Sequence, residues 1–206
     1  PNDALPIGAN AAPALEQYQI PVTDDGLPGE GPIRRYDWFR QLWQTRRSQW
    51  AARLEQDRRA VVLLGDSITQ GWGDDFSAWF PGLKLANRGI SGDTSRGVLI
   101  RLQEDVLALE PRAVVLLIGT NDLEEKARPE TIAANLKLIL AELSRHDASM
   151  PIVLCQVFPS AAAKSRPANL IQEVNRLYAQ AVKGNAQVIL LERSEEHTSE
   201  LQSPNT

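Results

Sequence analysis

Three short polar blocks in this sequence contain the residue types that acyl transfer requires. They are 65–69 (GDSIT), 91–94 (SGDT) and 119–122 (GTND). Acyl transfer needs a nucleophile and fixed hydrogen-bond donors aimed at the developing oxyanion. Ser67 supplies a hydroxyl, and the backbone N–H groups of Ser67 and Gly92 could act as donors together with the Asn121 side-chain amide. A glycine at position 92 lets the backbone approach a substrate without a Cβ in the way.

Each block also has a purely structural or non-catalytic interpretation. Asp66 or Ser67 could simply cap a following helix, and Asn121 is also a common turn residue. A hydroxyl-rich loop from Gly65 to Thr69 could instead hold a phosphate or a flavin at a helix N-terminus, in a flavodoxin-like binding module. No Gly-x-Gly-x-x-Gly or Gly-Lys-Ser/Thr phosphate loop accompanies it.

The elements that must position these blocks are apolar runs typical of buried strands. The blocks follow runs at 61–65, 83–86 and 113–118, and further strands are predicted at 151–157 and 187–191. Helices are predicted between them and over 36–56, where a tryptophan-containing stripe suggests core packing. This alternation predicts an α/β protein, a three-layer α/β/α sandwich around a five-stranded parallel sheet. All three blocks should then open at one sheet edge.

Composition limits the classes of partner. The chain has 206 residues, enough for one domain with a sizeable core, and a net charge of −4 without a long basic run. A nucleic-acid partner is therefore not expected. A membrane span is not expected either, since no apolar stretch reaches about 20 residues. The single cysteine, Cys155, lies in an apolar run and is expected to be a buried hydrophobe. Residues 1–32 form a Pro/Gly-rich irregular lead-in, which would suit a secreted or periplasmic protein.

The three blocks together resemble those of the SGNH (GDSL-type) hydrolases. Residues 65–69 look like that family's first block, 89–102 like its second and 118–122 like its third. The sequence of the second block is most similar to that of the branch that includes the platelet-activating-factor acetylhydrolase catalytic subunits. The resemblance implies a flavodoxin-like sheet and a small acyl ester substrate, an acetyl ester of a lipid or carbohydrate, with no cofactor and no metal. It assigns the nucleophile to Ser67 and the oxyanion hole to Ser67, Gly92 and Asn121.

The family's fourth block, an Asp-x-x-His that supplies the general base, is not found in this sequence. The histidines are His146 and His197, and the last aspartate is Asp147. His146 precedes the fourth predicted strand and should lie at the sheet edge opposite Ser67. His197 lies in a segment that resembles a translated sequencing adapter.

We therefore expect a hydrolase domain at 33–192 that is incomplete at its C-terminus, followed by an artefactual tail at 193–206. The last helix would be missing, which would leave one sheet face partly uncovered. Activity would be very low, because loss of the base in a serine triad costs about a millionfold in turnover.

Overall fold

The computed structural model describes residues 15–160 and 165–192. Its five strands form one sheet in the order β2-β1-β3-β4-β5, and every neighbouring pair is parallel. The strands are β1 (Val61–Gly65), β2 (Leu85–Gly89), β3 (Ala113–Leu117), β4 (Ile152–Cys155) and β5 (Val188–Leu191). The helices are α1 (Asp37–Ala52), α2 (Leu54–Asp57), α3 (Ser67–Gln70), α4 (Ser95–Asp105), α5 (Thr120–Glu124), α6 (Pro129–His146) and α7 (Ala168–Val182), and short 3₁₀ turns lie at Leu15–Tyr18 and Leu107–Leu109. The expected α/β architecture with a five-stranded parallel sheet is confirmed.

Several predicted elements have different bounds in the structure, and two of these differences go beyond a change at the ends. The second strand, expected over 83–86, lies at Leu85–Gly89. It includes a buried arginine, Arg88, because that guanidinium donates to Asp57 Oδ2 at 2.9 Å and to the Asp105 carbonyl at 2.9 Å. The helix expected over 36–56 is divided into α1 and α2 at Arg53, whose φ of −108° and ψ of 9° interrupt the helical backbone.

One face of the sheet carries the main hydrophobic core. Alternate strand residues point to the same face, and the set on this face is fully buried together with residues of α4, α6 and α7. The strand residues are Val62, Leu64, Val114, Leu116, Ile152 and Leu154, each at 0% exposure. The long crossover helices therefore cover this face.

The alternate set of strand residues on the other face is less buried. Leu63, Val115 and Val153 are only partly buried, and they lie outside the hydrophobic clusters formed by the described residues. On the edge strand β5, Ile189 is 59% exposed and Leu191 is 55% exposed. A partly uncovered apolar face was expected from the sequence, and the described residues show one. The predicted tail at 193–206 lies outside the described residues.

Helix α1 forms a second cluster beside β2. Trp43 is fully buried and Trp50 is 5% exposed, and they pack with Ile20 and Phe39. The interpretation of the tryptophan stripe as core packing is thus confirmed. No helix among the described ranges is long and apolar enough to cross a membrane.

Arg101 connects the two clusters. Its side chain is fully buried on α4, with the guanidinium carbon 5.8 Å from the Trp43 ring centroid and 5.4 Å from that of Trp50. The guanidinium donates to Asp93 Oδ2 at 2.8 Å, and to the carbonyls of Arg88 at 2.9 Å and Gly65 at 3.3 Å. It therefore ties α4 to β1, to β2 and to the loop after β2.

We predict that Arg101→Met lowers the free energy of unfolding by about 3–5 kcal/mol, because it leaves the buried Asp93 carboxyl without its partner. The matched control is Arg145→Met, which removes an exposed ion pair with Glu142 on α6. That substitution should cost at most about 1 kcal/mol. Urea unfolding at pH 8 measures both, and equal losses would show that Arg101 does not hold this region together.

Candidate active site

Ser67 lies directly beyond the carboxyl end of β1, as the first residue of α3. The preceding residue, Asp66, caps this helix, since its Oδ1 accepts a hydrogen bond from the Ile68 N–H at 3.0 Å. The capping interpretation therefore applies to Asp66 and leaves Ser67 exposed to solvent. Among the described residues, neither the Ser67 hydroxyl nor its backbone N–H donates a hydrogen bond.

Gly92 lies in the turn after β2, which is closed by a hydrogen bond from the Asp93 N–H to the Ile90 carbonyl at 3.0 Å. Its φ of +90° favours glycine. A Cβ at this position would also come within 2.7 Å of Trp38 Cη2 and 2.9 Å of Arg34 Nη1. The Gly92 N–H has no acceptor within the described ranges, so its hydrogen-bonding capacity is unused there.

Asn121 joins the three sequence blocks. It lies on α5 after β3 and is 2% exposed. Its Nδ2 donates to the Asp93 carbonyl at 2.9 Å and lies 3.4 Å from Asp66 Oδ2. Its Oδ1 accepts a hydrogen bond from Arg166 Nη2 at 3.0 Å. One amide hydrogen is thus committed to Asp93, while the other makes only a long contact with Asp66 and remains weakly bonded.

Three buried carboxyl groups surround this junction. Burial raises the pKa of Asp66 to about 6, that of Asp122 to about 6 and that of Asp93 to about 7. Hydrogen bonds and the Arg101 charge oppose the increase for Asp93. Asp122 also accepts a hydrogen bond from the Ser95 N–H at 2.9 Å, at the start of α4. These groups hold the loops in place by their hydrogen bonds. Because their pKa values are raised, their ionisation lowers the stability of the fold within an accessible pH range.

No imidazole of the described residues approaches Ser67. His146 is exposed at the C-terminus of α6, before β4 begins, and therefore lies at the opposite sheet edge, as the sequence predicted. His197 lies outside the described residues. The same ranges contain no group of three or more His, Cys, Asp or Glu side chains that could hold a metal ion, and Cys155 is buried.

Sequence reasoning missed three arginines that organise the site. Arg166 follows β4 and donates to both Asn121 and Glu124, the latter at 2.8 Å. Arg34 precedes α1 and pairs with Glu124 and Glu125 at 3.0 and 2.7 Å. Only Arg101 left a signal, because it occurs three residues after Val98, at helical spacing on the buried face of α4.

We predict that Gly92→Ala destabilises the fold more than Gly73→Ala. Both glycines have positive φ, +90° and +74°, but a Cβ at Gly73 would meet nothing within 4 Å. Gly73→Ala should therefore cost about 1–2 kcal/mol for backbone strain alone. Gly92→Ala adds overpacking of about 1–3 kcal/mol. Thermal or urea unfolding compares the two, and equal losses would mean that Trp38 and Arg34 move aside freely.

We predict that ionisation of Asp122 lowers the stability of the fold. Its pKa is raised in the folded state, so the folded protein holds a proton that the unfolded chain releases between about pH 4 and 6. Its contribution to the free energy of unfolding is therefore largest below pH 4 and falls as the pH rises to about 6. Between pH 4 and 7, the free energy of unfolding of Asp122→Asn should rise relative to that of the parent protein by up to about 3 kcal/mol.

The control for this titration is Asp147→Asn, an exposed carboxyl group whose pKa is lowered by hydrogen bonds from Ser149. Urea unfolding at pH 4, 5, 6 and 7 measures each variant against the parent. The control should show no such gain over this range. Parallel pH profiles for Asp122→Asn and the parent would contradict the proposed role of buried ionisation.

Comparisons with a family model and with curated proteins indicate the same kind of protein. The model of the GDSL-like lipase/acylhydrolase family matches residues 63–198, more than half of the chain. Human platelet-activating factor acetylhydrolase IB subunit alpha2 is 26% identical over 73% of this chain and 66% of its own length. The chain thus spans slightly less than two thirds of that relative.

Two solved structures share the fold. A GDSL-like lipase from Bacteroides thetaiotaomicron is 28% identical with a TM-score of 0.57, covering 71% of this chain and 76% of that one. A protein from Streptococcus pneumoniae described as a putative platelet activating factor has 21% identity and a TM-score of 0.67, covering 75% and 76%. Neither the family match nor these structures favour the phosphate- or flavin-binding alternative. The chain belongs to the GDSL-like lipase/acylhydrolase family, which is a family of ester hydrolases.

Proposed function

We propose that this chain is a serine ester hydrolase with Ser67 as its nucleophile. The observation that carries the proposal is the convergence of four groups at one sheet edge. These groups are the exposed Ser67 hydroxyl, the unpaired N–H groups of Ser67 and Gly92, and the amide of Asn121. Such donors stabilise an oxyanion best when they are fixed in advance, and the contacts of Asn121 with Asp93 and Arg166 hold its amide in place.

In the proposed reaction, Ser67 Oγ attacks the ester carbonyl carbon and its hydroxyl proton passes to a base. The carbonyl oxygen takes up the negative charge between the N–H groups of Ser67 and Gly92 and the Asn121 amide. Collapse of this intermediate breaks the ester C–O bond, and the alcohol leaves with a proton. Water then attacks the acyl group on Ser67 and releases the acid.

The substrate is proposed to be a small acyl ester, an acetyl ester of a lipid or a carbohydrate. The acetylhydrolase relatives support the acetyl group by their names, and the exposed position of Ser67 gives a bulky alcohol access to it. The walls beside Gly92 carry both aromatic and charged side chains, Trp38 and Arg34 among them.

We propose further that turnover by this chain is very low. The described residues place no histidine within reach of Ser67, and Asp66 uses its Oδ1 to cap α3. Without a base the hydroxyl proton has no efficient acceptor, which costs about a millionfold in a serine triad. The oxyanion donors would retain only a residual acceleration.

Chemical rescue tests the nucleophile and the missing base together. Hydrolysis of p-nitrophenyl acetate is measured for the parent protein and for Ser67→Ala, with and without added imidazole. Without imidazole we expect both proteins to show the same low rate, no greater than the residual acceleration of the oxyanion donors. With imidazole, the parent should exceed Ser67→Ala at the same concentration, because the free base can accept the proton of the Ser67 hydroxyl. Mass spectrometry should then find an acetyl group on Ser67.

Circular dichroism of both proteins controls for folding. A parent that never exceeds Ser67→Ala, while both remain folded, would contradict the assignment of Ser67. Rapid hydrolysis by the parent without imidazole, abolished in Ser67→Ala, would confirm the nucleophile and contradict the proposed lack of a base.

A further inference from the structure

A cavity of about 510 Å³ lies beside the candidate oxyanion hole. It is lined by Arg34, Tyr36, Trp38, Glu124, Glu125 and Lys126. These residues come from two chain segments, the start of α1 and the end of α5, which the ion pairs of Arg34 bring together. None of them has a role in the proposed acyl transfer.

The cavity borders two parts of the candidate oxyanion hole, the Gly92 turn and Asn121. Trp38 Cη2 is the atom that a Cβ on Gly92 would strike at 2.7 Å, so the indole lies against the turn that presents the Gly92 N–H. Glu124 lies one helical turn from Asn121, and Arg166 bridges the two side chains. An alcohol group that leaves the ester carbonyl towards Trp38 and Glu124 would therefore enter the cavity.

The aromatic side chains form an open surface. Tyr36 and Trp38 are each 52% exposed, and their rings are nearly parallel, 10° apart with centroids 6.3 Å from each other. The Tyr36 hydroxyl lies 3.3 Å from a Glu125 carboxylate oxygen, which anchors that ring. Exposed, oriented aromatic rings in a cavity favour a ligand with a flat apolar face.

The charged side chains decide which ligand of that shape fits. The cavity contains two cations, Arg34 and Lys126, and two anions, Glu124 and Glu125, so its lining has no net charge. Arg34 hydrogen-bonds to both carboxylates, at 3.0 and 2.7 Å. A quaternary ammonium group binds best in a cage of aromatic rings, whereas this cavity has two rings and no excess of negative charge. An alkyl chain requires apolar walls, whereas four of these six side chains are charged.

We propose that this cavity binds the alcohol half of the substrate, and that it takes a pyranose ring whose C–H face lies on Trp38. The sugar hydroxyls would bond to Glu124, Glu125 and Lys126, which supply both acceptors and donors around the ring edge. This inference rests on the proposed ester hydrolysis for its orientation. It specifies the substrate as an acylated carbohydrate.

The test measures binding without turnover, so that it does not depend on an active base. The protein carries Ser67→Ala, and the probes are methyl β-D-glucopyranoside and its tetraacetate. Saturation-transfer NMR identifies the protons in contact with protein, and a titration gives the dissociation constant. We expect contact on one face of the pyranose and binding that weakens about tenfold or more in Trp38→Ala.

Three further variants separate stacking from general damage. Trp38→Leu retains apolar volume without a flat ring and should lose binding as Trp38→Ala does. Tyr36→Phe retains the ring and removes only the contact with Glu125, so it should weaken binding less. Trp79→Ala removes a tryptophan that is 80% exposed and does not line this cavity, so it should leave binding unchanged. Unfolding midpoints confirm that each variant is folded.

The outcomes distinguish this inference from the proposed function. Absence of sugar binding, or binding that Trp38→Ala and Trp38→Leu leave intact, overturns the carbohydrate subsite even if Ser67 is acetylated in the imidazole experiment. Phosphocholine, tested under the same conditions, should not bind. If it binds and depends on Trp38, the cavity recognises a cationic lipid headgroup and the carbohydrate proposal is wrong.

Discussion

The buried guanidinium of Arg101 is the interaction on which the candidate site depends. It hydrogen-bonds to the last residue of β1, to β2 and to the Asp93 side chain, so it holds two strand ends and one loop at fixed separations. The Asp93 carbonyl in turn accepts a hydrogen bond from the Asn121 amide, which extends the same network to α5 after β3. A buried charge of this kind is expensive to desolvate. Its contribution lies in bringing three remote segments into one geometry.

A second set of arginines extends this order towards the surface. Arg34 and Arg166 both reach Glu124 on α5, one from before α1 and the other from the loop after β4. These contacts place the start of α1 beside the turn at Gly92, where Trp38 closes over the glycine. The cavity that we assign to a sugar therefore exists because short, polar segments are joined by ion pairs. The second hydrophobic cluster contributes as well, since Phe39 of α1 packs in it with Ile90, two residues before Gly92.

The two faces of the sheet differ in a way that matters for stability. Helices α4, α6 and α7 cover one face, on which only the β5 residues Val188 and Leu190 stay partly buried, while β5 exposes Ile189 and Leu191 on the other. Apolar surface in contiguous exposed strands favours association with other chains. The part of the chain that forms the candidate oxyanion hole lies near β1, β2 and β3, away from this edge. The network around Arg101 can therefore keep its geometry although the opposite edge is poorly covered.

The sequence by itself determined the sheet, its parallel order of elements and the positions of Ser67, Gly92 and Asn121 at strand ends, because short apolar runs and glycine-bounded turns are local signals. It also predicted correctly that His146 lies at the sheet edge opposite Ser67, since chain order alone decides at which edge a residue lies that directly precedes a parallel strand. It misplaced β2, because Arg88 and Asn87 read as polar loop residues and only their buried partners allow them in a strand. Only the tertiary structure decided that Asn121 is held by Arg166 and that Trp38 lies against Gly92. These contacts join residues 45 and 54 positions apart in the chain, and no local pattern specifies the fold that brings such distant residues into contact.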